Sequence, residues 1–320
     1  MNNSDIETYE LENAQFQSCC VSCIGGRSEN QDSCGITETA RGLLVVVCDG
    51  MGGLSGGAIA SKTAVEEITN YISQPSEDSD LDNKTALLNA ITCANDKLYG
   101  ITREDPSLSQ MGTTVTALLI NEDRATVAYV GDSRIYQIRR GRKVFRTFDH
   151  SMVFELVRKK ILSEEQARLS AQSNIILRAL GLKPEVEADA YDLPYDKDDI
   201  FMLCTDGIWG SMPEKQLISN LSLKSHIRIV AQTLAMKVHN IGLENGGHHD
   251  NLSAALVKTN CNSKLRNKME DLLKKSLIVC SALLLVSLTL NVFALISLKR
   301  SNAGNAQMPT EQVDSTSIKK

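Results

Sequence analysis

Five aspartates stand beside glycine, serine or asparagine where apolar runs of the chain end. Asp32 closes Arg27-Ser-Glu-Asn-Gln-Asp32, and Asp49 opens Asp49-Gly-Met-Gly-Gly53. Asp132 sits in Gly131-Asp-Ser-Arg134, Asp206 begins Asp206-Gly207, and Asp250 begins Asp250-Asn251. One Asp-Gly alone signals only a turn, because both residues tolerate the backbone angles that turns need. Five together carry a sharper expectation. If the strand ends converge, four or five carboxylates share a small volume and repel one another unless cations neutralise them. An all-oxygen ligand set suits Mg2+ or Mn2+ better than Zn2+. Gly50 would let its carbonyl approach such an ion, while Gly52, Gly53, Gly56 and Gly57 keep the neighbouring surface low. Two bridged ions convert bound water to hydroxide at neutral pH and clamp a phosphoryl group for in-line attack. The fork of Arg27 matches phosphate oxygens with two bonds at once. The plainer readings are a surface arginine and a flexible loop entering a helix.

The elements that must deliver these turns are legible. Residues 43–48 and 200–204 are short apolar runs, the pattern of buried strands. Residues 113–120, 126–130 and 252–258 read as further strands. Residues 133–139 alternate and are expected to form a hairpin with the preceding run, turning at Gly131-Asp132. Ile59, Ala60, Ala64, Val65, Ile68 and Ile72 recur at helical spacing and predict a helix with that stripe inward. Residues 87–99 and 225–241 predict two more helices, and Ser163-Glu-Glu-Gln166 is a capping-box pattern.

In this order the acidic turns, together with Met111-Gly-Thr-Thr114, resemble the type 2C metal-dependent serine/threonine protein phosphatases, bacterial members most of all. The resemblance covers roughly residues 16–258. It implies an α+β fold, an α-β-β-α sandwich of two antiparallel sheets flanked by helices. It also implies roles. Asp49 would bridge two Mn2+ or Mg2+ ions, and the Gly50 carbonyl would bind one of them. Asp206 and Asp250 would complete the shell, and Asp32 would hold the second ion directly or through water. Asp132 would contribute to a possible third ion, and Arg27 would bind phosphate. Residues 150–193 would form a variable flap beside the site. Met51 stands where many relatives carry a histidine proposed as general acid, so the leaving alkoxide must take its proton elsewhere. A metal-bound water, His150, His248 and His249 are the candidates, though each histidine reads more readily as structural or solvent-facing. Gln31 stands where some relatives have Glu.

Other phosphate chemistries fail on spacing. The chain has no G-x-x-x-x-G-K-[ST], Ser55 spoils a G-x-G-x-x-G, and no cysteine has the arginine that a cysteine phosphatase needs. Met51 occupies the position where an aspartyl-nucleophile enzyme would want a second Asp. Hydrolysis of phosphoserine and phosphothreonine is therefore the leading expectation, with phosphorylated proteins and a cognate Ser/Thr kinase as partners. A catalytically weak, phosphoprotein-binding module is the alternative.

The 320 residues carry a net charge of −5 and 4% aromatics, which excludes a basic nucleic-acid reader. Nine irregularly spaced cysteines and no apolar opening segment suggest reduced thiols in a cytosolic domain. Cys20 and Cys23 form a C-x-x-C that reads as two strand residues rather than half of a zinc site. The expected organisation is a flexible lead-in at 1–15, a catalytic domain at 16–258 and a basic linker at 259–275. A transmembrane helix at 276–298 and a disordered tail at 299–320 follow. Residues 276–298 run 23 positions without a charge, enough to cross a bilayer. Lys264, Arg266, Lys268, Lys274 and Lys275 before the span outnumber Lys299 and Arg300 after it. That bias predicts a single-pass inner-membrane protein with its catalytic domain in the cytoplasm.

Overall fold

The computed structural model describes residues 6–74, 81–221 and 225–304. The chain divides into two compact units, Met1–Arg266 and Asn267–Lys320.

The first unit is built from two antiparallel sheets. One contains strands β1 (Glu7–Glu12), β2 (Phe16–Cys23), β12 (Leu252–Thr259), β11 (Ile200–Cys204), β8 (Arg134–Arg139) and β9 (Arg142–Arg146), in that spatial order. The other contains β10 (Asp189–Leu193), β7 (Ala125–Val130), β6 (Val115–Ile120), β4 (Gly42–Met51) and β3 (Asp32–Thr39). The two-residue β5 (Gly112–Thr113) pairs with the end of β4.

Strand β4 shows why a sandwich forms. Successive side chains on a strand point to opposite faces. Leu43, Val45 and Val47 enter the core between the sheets, with Phe201, Leu203, Ala255 and Val257 of the facing sheet. Leu44, Val46 and Cys48 enter the core beneath helices α1 (Gly53–Ser73) and α2 (Asn83–Glu104). Both faces are covered, so the strand reads as an unbroken apolar run rather than an alternation. The facing sheet is covered on its outer side by α3 (Met152–Arg158), α5 (Asp206–Trp209), α6 (Glu214–Asn220) and α7 (Ile227–Glu244). The short α4 (Glu164–Arg168) begins with the expected capping box, in which both hydrogen bonds are made. In α1, Ala60, Ala64, Ile68 and Ile72 are buried at four-residue spacing, while Ile59 of the expected stripe is 39% exposed. On β2, Cys20 joins the core between the sheets and Cys23 the outer one.

Three expectations change. The hairpin at Gly131-Asp132 does not exist: β7 pairs with β6 and β10, whereas β8 pairs with β11 and β9. The Gly131–Ser133 turn carries the chain from one sheet to the other. A local pattern reports that two strands follow one another, and the partner that completes each lies far away in sequence. The lead-in at 1–15 is not frayed throughout. Glu7–Glu12 is an edge strand paired with β2 from Glu7 opposite Ser22 to Glu12 opposite Gln17. Its polar side chains suit a sheet edge. The linker at 259–275 is helical from Lys264, where α8 (Lys264–Gly304) begins.

The root of α8 is bound to the first unit. The Ser263 hydroxyl accepts from the Tyr195 amide at 3.0 Å, Lys264 pairs with Glu122, and Arg266 pairs with Asp196 at 2.8 Å. Beyond it, Lys264–Leu298 is the one described helix long and apolar enough to cross a membrane. Its apolar side chains are exposed, Leu277 by 72% and Phe293 by 73%. The expected disordered tail begins within this helix, and from residue 305 it lies outside the described residues.

Candidate active site

The acidic turns come together at one end of the sandwich. Asp32 begins β3 and lies directly opposite Asp49 near the end of β4. Asp206 follows β11 and begins α5, and Asp250 precedes β12, the neighbour of β11. Asp49, Asp132, Asp206 and Asp250 line a single cleft of about 410 Å3, with Arg27, Gly50, Met51, Thr114 and Asn251. Asp32 is buried beside the cleft, its carboxylate accepting from the Thr205 hydroxyl at 2.9 Å.

Backbone and side-chain hydrogen bonds hold these turns in register. The Thr114 hydroxyl accepts from the Asp49 amide at 3.0 Å and lies 2.7 Å from the Ser133 hydroxyl. It thereby links the Asp49 and Asp132 turns. Asn251 does the same for the loop between β2 and β3. Its Oδ1 accepts from the Gln31 amide at 2.9 Å, and its Nδ2 donates to the carbonyls of Ile24 and Glu29 at 2.8 and 2.9 Å. That loop presents Arg27, whose guanidinium pairs with Asp250 at 2.7 Å. At Gly50 a Cβ would lie 2.0 Å from the Gly57 carbonyl oxygen, so only glycine lets α1 start against the end of β4. Neither Thr114 nor Asn251 was singled out as a site residue from sequence, although both sit in the motifs that marked the site. Asn174 and Ile176 reach the cleft from the 150–193 segment, and no spacing in the sequence signalled them.

Convergence has an electrostatic consequence. Burial, then the charges of Asp32, Asp206, Asp132 and Asp250, pushes the Asp49 carboxyl well above the usual carboxylate range. Asp32 is pushed up to about 7, chiefly by burial and further by Asp206 and Asp250, against the lowering effect of its hydroxyl partners. Asp206 is pushed up to about 6 by burial and by Asp250. Asp132 also rises, through burial, Asp206 and Asp149. Concentrated negative charge of this kind is what a divalent cation relieves. Among the described residues no three acidic, Cys or His side chains close into a ready-made cage. Oxygen donors around an open cleft fit hard cations that keep several waters.

The three histidines weighed as proton donors are not among the cleft residues. His150 is buried, and His249 lies 2.9 Å from His239.

Residues 20–257 match the family model for protein phosphatase 2C. Serine/threonine phosphatase stp of Listeria innocua is 31% identical over 243 residues, which cover 75% of this chain and 94% of that protein. The crystal structure of Stp1, a serine/threonine phosphatase of Staphylococcus aureus, superimposes with a TM-score of 0.67 at 26% identity, covering 79% of this chain and 94% of its own. The catalytic domain of the phosphatase PstP, solved in complex with two manganese ions, gives a TM-score of 0.63 at 25% identity and covers 77% and 98%. Fold and family match agree: this chain belongs to the protein phosphatase 2C family and is a metal-dependent serine/threonine protein phosphatase.

Proposed function

We propose that the cleft holds two Mn2+ or Mg2+ ions against Asp49, Gly50, Asp206, Asp250 and Asp32, and that it dephosphorylates phosphoserine and phosphothreonine in proteins. The observation that carries this reading is the single cleft lined by Asp49, Asp132, Asp206 and Asp250, with Asp32 directly opposite Asp49 on the neighbouring strand. In that position Asp49 would be a ligand to such ions. The Gly50 carbonyl serves one of them, Asp206 and Asp250 complete the shell, and Asp32 contributes directly or through water. Asp132 serves a third, weaker ion. Bound there, such ions supply the acidity that makes water a nucleophile at neutral pH and the positive charge that a phosphoryl group meets. The Arg27 side chain is 55% exposed at the cleft and pairs with Asp250, so its guanidinium stands among the residues that an incoming phosphoryl group would meet. Among the described residues no histidine lines the cleft to replace the one that many relatives carry at the Met51 position, so water in the cleft would supply the proton to the leaving alkoxide.

We read residues 276–298 as a single membrane span, with the phosphatase unit on the cytoplasmic side, where the basic flank before the span places it. A cognate Ser/Thr kinase and its substrates are the partners this arrangement suits.

The test is hydrolysis of a phosphothreonine peptide with and without Mn2+. Turnover should need the ion, and Asp206→Asn should lower it by at least about a hundredfold, since even the groups behind a metal ligand are worth 10–100-fold. Wild-type protein that binds the peptide but shows no turnover with any divalent ion would establish a phosphoprotein-binding module instead.

A further inference from the structure

His150 has a task other than proton transfer. Its ring is buried, 4% exposed, and lies flat on Tyr129 with centroids 4.8 Å apart and planes 13° apart. Nδ1 accepts from the Gly131 amide at 3.2 Å, while the His150 amide donates to the Gly131 carbonyl at 2.9 Å. One residue thus satisfies both backbone groups of the residue before Asp132. Nδ1 as acceptor assigns the ring proton of a neutral imidazole to Nε2, which faces Asp189 Oδ2 at 3.2 Å. Arg178 Nη1 lies 3.3 Å from the same Nε2.

The other side of His150 faces the cleft's edge. Its carbonyl accepts from the Leu177 amide at 2.7 Å, and Ser151 bridges to Ile176, which lines the cleft. Gly131 adopts a φ of 104° and packs where a Cβ would lie 2.7 Å from Thr114 Cγ2. This turn has no slack: it is gripped by Thr114 on one side and His150 on the other.

We propose that His150 is a positioning residue that fixes the Gly131-Asp132 peptide to the base of the 150–177 segment, so that cation affinity at Asp132 depends on this one ring. The inference rests on the reading of Asp132 as a cation ligand. It also makes the cleft-edge segment and the Asp132 carboxylate one mechanical unit, since both ends of that segment and the turn meet at His150.

Asparagine and glutamine separate the two ring contacts. Asn Oδ1 occupies the place of Nδ1 and keeps an acceptor for the Gly131 amide. Gln reaches toward Asp189 and leaves that buried amide without its partner, a costly loss in a dry site. The full chain in detergent would be titrated with Mn2+, bound metal counted by electron paramagnetic resonance, and folding checked by the melting temperature. Asp132→Asn should abolish the weakest binding step. His150→Gln should weaken that same step about ten- to a hundredfold, leaving tighter binding unchanged, and His150→Asn should stay within about threefold of wild type. Folded His150→Gln with wild-type metal binding overturns the proposal, as does equal weakening in both His150 variants. If His150→Gln does not fold, Asp189→Ala decides: a smaller loss at the same step supports the anchor, and none overturns it. Unchanged binding in Asp132→Asn removes the ligand reading beneath the proposal and takes it down with that reading, a result distinct from failure of the anchor alone.

Discussion

Asp49, Asp32, Asp132 and Asp206 hold protons above the usual carboxylate range because each is buried among the others. The linkage has a definite sign. A carboxyl with a raised folded-state pKa binds more protons folded than unfolded, so its contribution favours folding at low pH and is lost as pH rises through the folded value. With Asp206 at about 6 and Asp32 at about 7, that loss falls between mildly acidic and neutral pH. Metal-free protein should therefore melt at a lower temperature at about pH 8 than at about pH 5.5, and saturating Mn2+ should restore most of the difference at pH 8. Thermal scans in chelator and in Mn2+ check this, and a metal-free melting temperature that climbs across the interval would refute it. At this scale the sequence was generous. Each of the five aspartates announced itself by a glycine, serine or asparagine neighbour, because turn chemistry is local. Thr205 and Asn174 did not, because their contributions exist only once distant strands meet.

The elements divide along the same line. Leu43–Cys48 and Ile200–Cys204 declared themselves as strands through unbroken apolar runs. The partner of β8 could not be read, since the apolar content of β7 and β8 is equally compatible with a hairpin and with strands in separate sheets. Polar Glu7–Glu12 escaped notice because an edge strand with exposed side chains carries little apolar signal. The crossing between sheets is secured by a buried pair. The Arg134 guanidinium donates to both oxygens of Asp149 at 2.8 and 2.7 Å and lies 3.5 Å from the Trp209 ring centre, while Trp209 Nε1 donates to the Asp132 carbonyl at 3.0 Å. Breaking such a pair leaves a buried charge without its partner. Arg134→Ala should cost about 3–5 kcal/mol, and replacing Arg134 and Asp149 together by Met and Leu should cost much less. Urea unfolding with an unchanged m-value is the measurement. A cost below about 1 kcal/mol for Arg134→Ala would show that the pair does not hold the crossing.

Over the whole chain, the two-sheet architecture came from family resemblance, since periodicity alone names strands but not layers. The apolar run at 276–298 was plain from composition. The end of the folded unit was read too early, at Lys258. Thr259 is the last residue of β12 and its hydroxyl donates to the Asp196 carbonyl at 2.6 Å; the Asn260 amide donates to the Gln15 carbonyl at 2.8 Å. A chain ending at Arg266 should leave the membrane fraction and keep full phosphopeptide turnover. One ending at Lys258 should melt roughly 5 °C lower or more, for want of several hydrogen bonds. If the full chain is itself found in the soluble fraction, residues 276–298 are not an anchor.

Strand β12 has one further consequence. Asp250 and Asn251 precede its first residue, and Ser263 to Arg266 are fastened shortly beyond its last. Eight extended residues span about 25 Å, so the Asp250 turn and the Ser263–Arg266 fastening lie at opposite ends of this one strand. The fastening of residues 259–266 thus lies at the end of β12 away from the Asp250 turn, and Ser263→Ala should leave the Michaelis constant for a soluble phosphopeptide untouched.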